Sequence, residues 1–173
     1  MKIEKVIVGD LEENCYVVSI NNECLVIDPG DDVDKIINLI DDRKVLGILI
    51  THHHFDHVGA LSKIEEKYDI IHSDFYNLNE GDTNIGPFKF QVIKNPGHSI
   101  DSTSYYFKEE NIMFVGDFIF KNSIGRCDLE GGNYNEMEQS IERIKKFSKN
   151  IILYPGHGPS TTLNDEKEYN PFF

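Results

Sequence analysis

Val45-Leu46-Gly47-Ile48-Leu49-Ile50 runs without a break into Thr51-His52-His53-His54-Phe55-Asp56-His57. The first stretch is almost continuously apolar, as a strand buried on both faces is. The second carries four histidines in six residues. Residues two apart on an extended backbone point the same way, so His52 and His54 can meet one ion. His53 points the other way and is set aside as a ligand. Beyond the run, Val58, Leu61, Ile64 and Tyr68 recur at helical spacing, which predicts a helix over about 57–68 with Asp56 at its N-cap. The chain changes direction at that turn, so Asp56 and His57 can aim at a second ion nearby. A chance cluster is a costly rival reading, because crowded imidazoles repel one another once protonated.

Upstream of the run, Ile3–Val8, Cys15–Ile20 and Cys24–Ile27 read as strands of a meander, separated by Gly9-Asp10 and Asn21-Asn22. Asp28-Pro29-Gly30 stops the third. Val33, Ile36, Ile37 and Ile40 predict a helix over about 32–41. In the second half, Phe88–Ile93, Ser104–Phe107 and Ile112–Val115 read as strands. Met137, Ile141, Ile144 and Phe147 predict a helix over about 134–148, and Ile151–Tyr154 is a last strand. Tyr105 and Tyr106 pack on opposite faces of theirs. The halves share an element order of strands, helix, strand, with no linker between them. The fold class is α/β in one domain, residues 1–173. Two sheets with helices on their outer faces satisfy the pattern; one mixed sheet with helices on both sides competes.

The 173 residues carry a net charge of −13, which disfavours nucleic acid as a partner. Arg143-Ile144-Lys145-Lys146 reads as a solvated helix face near a C-terminus. Cys15, Cys24 and Cys127 are odd in number and lack a CxxC, so free thiols in a reducing compartment are expected, buried at Cys15 and Cys24 and silent near the proposed pocket at Cys127. Cys15 and Cys24, in adjacent strands, could face each other. No signal peptide or bilayer-length apolar run is visible, so the protein is expected in the cytoplasm, away from membranes. His72 reads as a surface or turn residue, and the aromatic rings of Asn170-Pro171-Phe172-Phe173 as packed on the body.

Three further residues follow strand-like runs, where sites form in layered α/β folds. They are His98 after Pro96-Gly97, Asp117 after Gly116, and His157 in Pro155-Gly156-His157-Gly158. With His52, His54, Asp56 and His57 they make five histidines and two aspartates. That is too many for one tetrahedral ion and suits two. Nitrogen and oxygen donors favour zinc, with iron or manganese also served. Two ions roughly 3.5–4 Å apart lower the pKa of a shared water toward about 7, giving a hydroxide able to attack a carbonyl carbon.

Taken together, Asp28-Pro29-Gly30, the 51–57 run, Pro96-Gly97-His98-Ser99, Val115-Gly116-Asp117 and Pro155-Gly156-His157-Gly158 resemble the metallo-β-lactamase superfamily. Within it the sequence is most similar to short bacterial glyoxalase II-like hydrolases. The resemblance implies a four-layer αββα sandwich with the metals at one edge. It implies that His52, His54 and His98 hold one ion, that Asp56, His57 and His157 hold the other, and that Asp117 bridges them. It further implies hydrolysis of a small-molecule thioester of the S-lactoylglutathione kind, with Asp56 orienting the hydroxide. Best-known zinc β-lactamases carry Cys where Asp117 stands, so antibiotic hydrolysis is not expected.

Two departures from glyoxalase II bear on substrate choice. The sequence runs only 16 residues past His157, so the C-terminal helical domain that helps glyoxalase II to bind glutathione is not expected. Where the family has Gly-Cys-Gly-Lys-Phe-Tyr, this sequence has Ser123-Ile124-Gly125-Arg126-Cys127-Asp128. Arg126 could supply the lysine's charge to a substrate carboxylate or could form a structural salt bridge, and Asp128 would repel an anion. The alternatives are a mononuclear iron persulfide dioxygenase and a hydrolase of another ester, a lactone or a phosphoester.

Overall fold

The computed structural model, which describes residues 1–147 and 150–173, separates the strands into two large sheets and one small two-stranded sheet, formed by residues 119–120 and 123–124. In chain order the first half runs β1 (Lys2–Val8), β2 (Glu13–Ile20), β3 (Glu23–Ile27), α1 (Val33–Ile40), β4 (Lys44–Leu49), α2 (Phe55–Val58) and α3 (Leu61–Tyr68). Next come β5 (Gly81–Ile85), β6 (Phe88–Lys94), β7 (Thr103–Phe107), β8 (Ile112–Gly116), β9 (Ile119–Phe120) and β10 (Ser123–Ile124). The chain closes with α4 (Tyr134–Ile144), β11 (Ile152–Pro155), β12 (Thr161–Thr162) and α5 (Leu163–Tyr169). The first sheet has the order β1-β2-β3-β4, and the second β12-β11-β8-β7-β6-β5. Each sheet has one parallel step, β3 to β4 across α1 and β8 to β11 across α4. The remaining strand pairs are antiparallel.

Alternation along the strands divides the core into three clusters, and these define four layers. Tyr16, Val18, Leu25, Ile27 and Leu49 of the first sheet meet Phe88, Phe90, Tyr105, Phe107 and Phe114 of the second. The opposite face of the first sheet, with Val17 and Val26, packs on Ile36 and Ile40 of α1 and Ile64 of α3. The outer face of the second, with Tyr106, Met113 and Leu153, packs on Met137 and Ile141 of α4. Tyr105 and Tyr106 thus serve opposite faces, and the αββα arrangement holds. Burial of each large apolar side chain stabilises the sandwich by about 1.5–3 kcal/mol. No helix among the described residues is long and apolar enough to cross a membrane.

Several local expectations need correction. The helix over 57–68 is two helices, and Asp56 lies in the first turn of α2 rather than at an N-cap, which His54 occupies. The cause is the Asp28-Pro29-Gly30 turn. It presses so close that a Cβ on Gly59 would stand 2.3 Å from the Gly30 carbonyl oxygen. The Pro29 carbonyl also accepts the Ala60 N–H at 3.0 Å, drawing that donor out of a continuous helix. Helix α4 ends at Ile144, although Phe147 still packs on its cluster; position 148 lies outside the described residues. Cys24 stands opposite Ser19, so it does not face Cys15, and all three thiols are free. Strand β5 and helix α5 were not expected. One is a half-exposed polar edge and the other is mostly charged, anchored by Leu163 and Glu166.

Candidate metal centre

Strand β4 delivers the histidine run to the edge where both sheets end. There Asp28 organises it. The Thr51 N–H donates to Asp28 Oδ1 at 2.7 Å and the Thr51 hydroxyl to Oδ2 at 2.5 Å. His57 Nδ1 lies 3.0 Å from the same Oδ2 and donates to it, which turns Nε2 toward the centre. The second sheet is tied in by the Thr103 N–H, which donates to the Thr51 carbonyl at 2.8 Å. His98 comes from the turn after β6, Asp117 follows β8, and His157 follows β11.

Every candidate imidazole except His54 has one ring nitrogen held by the protein and the other free to face inward. His52 Nδ1 meets the Thr51 hydroxyl oxygen at 3.2 Å. His98 Nδ1 donates to the Arg126 carbonyl at 2.8 Å, and His157 Nδ1 to the Leu11 carbonyl at 3.0 Å. Such partners fix the tautomer and orientation of metal-binding histidines. Burial, reinforced by the surrounding imidazoles, holds His52 well below the usual histidine range and therefore neutral, as a ligand must be.

The inward-facing atoms fall into two groups. His54 Nδ1 lies 3.1 Å from His52 Nε2 and 2.9 Å from His98 Nε2. Asp56 Oδ2 lies 3.1 Å from His157 Nε2 and 3.8 Å from His57 Nε2. Asp117 reaches both groups: its Oδ2 is 3.7 Å from His98 Nε2 and 3.6 Å from His157 Nε2. Its Oδ1 is 3.3 Å from His57 Nε2, and both of those atoms are buried without a hydrogen-bond partner. An unpartnered buried polar atom costs about 1–3 kcal/mol. Tetrahedral ligands about 2.0–2.1 Å from an ion lie about 3.3 Å from one another, so the orphaned pair has the spacing of two ligands of one ion. Burial raises the Asp117 carboxyl, but His57 beside it and the charges of His157 and His98 outweigh this and hold it below its ordinary value. All seven residues expected to bind metal therefore converge, and they fit two divalent ions.

Gly156 shows how tight the cradle is, since a Cβ there would stand 2.3 Å from Asp117 Oδ1 and 2.5 Å from His57 Cε1. A cavity of about 930 Å³ opens over the centre. His54, Asp56, His98, Asp117 and His157 form its floor, and Leu11, Phe55, Phe120, Ile124 and Leu129 give it apolar walls. Arg126 also lines it, but the guanidinium is held by Asp128 through two bonds of 2.8 and 2.9 Å. That pairing pushes the Asp128 carboxyl down to about 2.

Sequence reasoning missed the orienting role of Asp28, read there only as a turn residue. It also missed the wall residues, although Phe55 stands inside the ligand run and is 74% exposed. Glu13 gave no signal. It is buried with neither carboxylate oxygen hydrogen-bonded, and Oε1 lies 3.8 Å from His57 Nδ1.

The profile of the Metallo-beta-lactamase superfamily matches residues 8–73 and 66–157. The chain is 35% identical to the probable metallo-hydrolase YqgX of Bacillus subtilis, over 99% of this chain and 97% of that protein. It is 27% identical to the hydroxyacylglutathione hydrolase GloC of Haemophilus influenzae, over 99% and 98% respectively. Among solved structures, the BLEG-1 B3 metallo-beta-lactamase superposes with a TM-score of 0.92 at 32% identity, covering 99% of both chains. TTHA1623 in a di-iron-bound form superposes with a TM-score of 0.91 at 32% identity, covering 98% of this chain and all of the other. The chain belongs to the metallo-beta-lactamase superfamily and is a metal-dependent hydrolase of that type.

Proposed function

We propose that this protein hydrolyses thioesters, S-lactoylglutathione or a related acyl thiol, with two divalent ions, zinc by preference. The observation that carries the proposal is Asp117, which reaches both ligand groups at the floor of an apolar-walled cavity. His52, His54 and His98 would hold one ion and Asp56, His57 and His157 the other, with Asp117 shared. Bound there, the ions supply Lewis acidity and lower the pKa of a water toward about 7. Asp56, beside His157 and His57, would be the residue that orients a water toward the thioester carbonyl. The leaving thiolate has a parent pKa of about 8.5, so no separate general acid is needed.

The apolar walls suit an acyl chain. Arg126 is the cavity's cation for a substrate carboxylate, which must compete with Asp128 for the fork. The likeness to GloC supports a hydroxyacyl thioester, and the di-iron form of TTHA1623 supports a paired site in which iron is zinc's chief rival. Free cysteines support a reducing, cytoplasmic setting.

The test is a screen of zinc-, iron- and manganese-loaded protein against S-lactoylglutathione, other acyl thioesters, lactones, phosphoesters and a β-lactam, with Asp117→Ala as control. Thioester turnover lost in that variant supports the reading. A preference for β-lactam, lactone or phosphoester overturns the substrate class. Oxygen-dependent persulfide oxidation with one iron per chain would replace the hydrolase by the dioxygenase; the complete second ligand group argues against it.

A further inference from the structure

His53 turns its back on the candidate centre and enters another cluster. Its Nδ1 lies 2.6 Å from Asp101 Oδ2, and its Nε2 lies 3.3 Å from Asp74 Oδ2. His72 repeats the arrangement: Nδ1 is 2.7 Å from Glu65 Oε1, and Nε2 is 3.3 Å from the same Asp74 Oδ2. The backbone explains why they meet. Ser73 pairs with the end of β4, its N–H donating to the Ile48 carbonyl at 2.8 Å and its carbonyl accepting the Ile50 N–H at 3.0 Å. The chain is extended there, so His72 and Asp74 project to the same side. Asp74 Oδ1 accepts the N–H groups of Tyr76 and Asn77 at 2.9 and 3.1 Å, leaving Oδ2 to face the two imidazoles.

The distances distinguish two kinds of contact. Charge-assisted N–H···O bonds run about 2.7–2.9 Å, and the two Nδ1 contacts are at least that short. The two Nε2 contacts are both longer, and both match the edge of about 3.3 Å between tetrahedral ligands of an ion bonded at about 2.0–2.1 Å. The three ligand atoms lie within 4.8 Å of one another. Asp74 is a buried anchor with 5% of its side chain exposed, while the His53 side chain is 35% exposed. The cluster thus has an entry path and room for a water as fourth ligand. Glu65 and Asp101 stand where carboxylates orient metal-binding imidazoles.

We propose that His53, His72 and Asp74 hold a further divalent metal ion of the zinc type, with Asp101 and Glu65 fixing the two rings. His72 is then a ligand rather than a simple turn residue. His53 is a ligand of this ion and not of the candidate centre. The ion joins the exit of β4, the segment after α3 and the turn after His98, clamping the His52–His54 backbone from behind. None of this depends on thioester hydrolysis.

The experiment is zinc titration of chelator-stripped full-length protein, with bound metal counted by elemental analysis after equilibrium dialysis. The wild type binds one equivalent more than His72→Ala or His53→Ala, three against two when the candidate centre takes two ions. Glu65→Gln keeps the count and weakens that equivalent by about 10–100-fold. Equal counts in the wild type and both folded alanine variants overturn the proposal. In the wild type alone, imidazole nitrogen resonances of His53 and His72 shift with the added equivalent. Resonances that stay fixed through saturation overturn it without any variant.

Discussion

Replacing Asp28 by asparagine tests how the candidate centre is held. Asp28 accepts three bonds: the Thr51 N–H at 2.7 Å, the Thr51 hydroxyl at 2.5 Å and His57 Nδ1 at 3.0 Å. An amide of the same shape has one acceptor oxygen and one donor NH2. In either orientation the NH2 faces a donor. With the natural orientation kept, His57 loses its acceptor and is free to take the tautomer that points a proton at Asp117. Loss of an orienting partner of this kind weakens metal binding by about 10–100-fold. At about 1.36 kcal/mol per decade that is about 1.4–2.7 kcal/mol. Unpairing a buried donor costs the fold a further amount of about 1–3 kcal/mol. The assays are competition of stripped protein with a chelating dye for zinc, and urea unfolding of the metal-free form. Zinc affinity within twofold of the wild type would refute the role given to Asp28.

Gly156→Ala places a methyl group 2.3 Å from Asp117 Oδ1 and 2.5 Å from His57 Cε1, so zinc binding by the His57 group falls more than about tenfold while circular dichroism is unchanged. Unaltered affinity contradicts the tight cradle. Phe107→Ala empties the space between the sheets beside Phe90 and Phe114 and costs about 3–5 kcal/mol in urea unfolding; under about 1 kcal/mol, the packing account is wrong. Burial holds the Glu13 carboxyl well above its ordinary value, so the folded metal-free protein retains a proton that the unfolded chain releases above about pH 4.3. Wild-type stability therefore falls as pH rises from there toward the folded value. Glu13→Gln has no such proton, and its stability relative to the wild type increases from pH 4 to pH 8; a pH-independent difference contradicts this.

The layers and the convergence of the candidate ligands were legible because each left a periodic or positional mark. Strand alternation and helical spacing located the buried faces. His98, Asp117 and His157 each follow a strand, and the chain's topology brings those strand ends to one edge. What was illegible depends on contacts between distant segments. The break between α2 and α3 comes from the Pro29 carbonyl and the close approach of Gly30, about thirty residues upstream of the helix pattern. The edge strand β5 has no apolar alternation, because neither of its faces is fully buried. Arg126 was open between substrate contact and salt bridge; it lines the cavity while paired with Asp128. The His53 cluster was hidden for the same reason, since only tertiary folding brings His72 and Asp74 beside the end of β4.

The proposed hydrolysis depends on paired ions that share Asp117. Its most direct measurement is acyl thioester turnover by chelator-stripped protein as zinc is restored, in the wild type and in Asp117→Ala side by side. No turnover is expected in the stripped protein, with recovery in the wild type as the sites fill and none in the variant. Turnover by stripped protein, or recovery in Asp117→Ala equal to the wild type, would contradict that dependence.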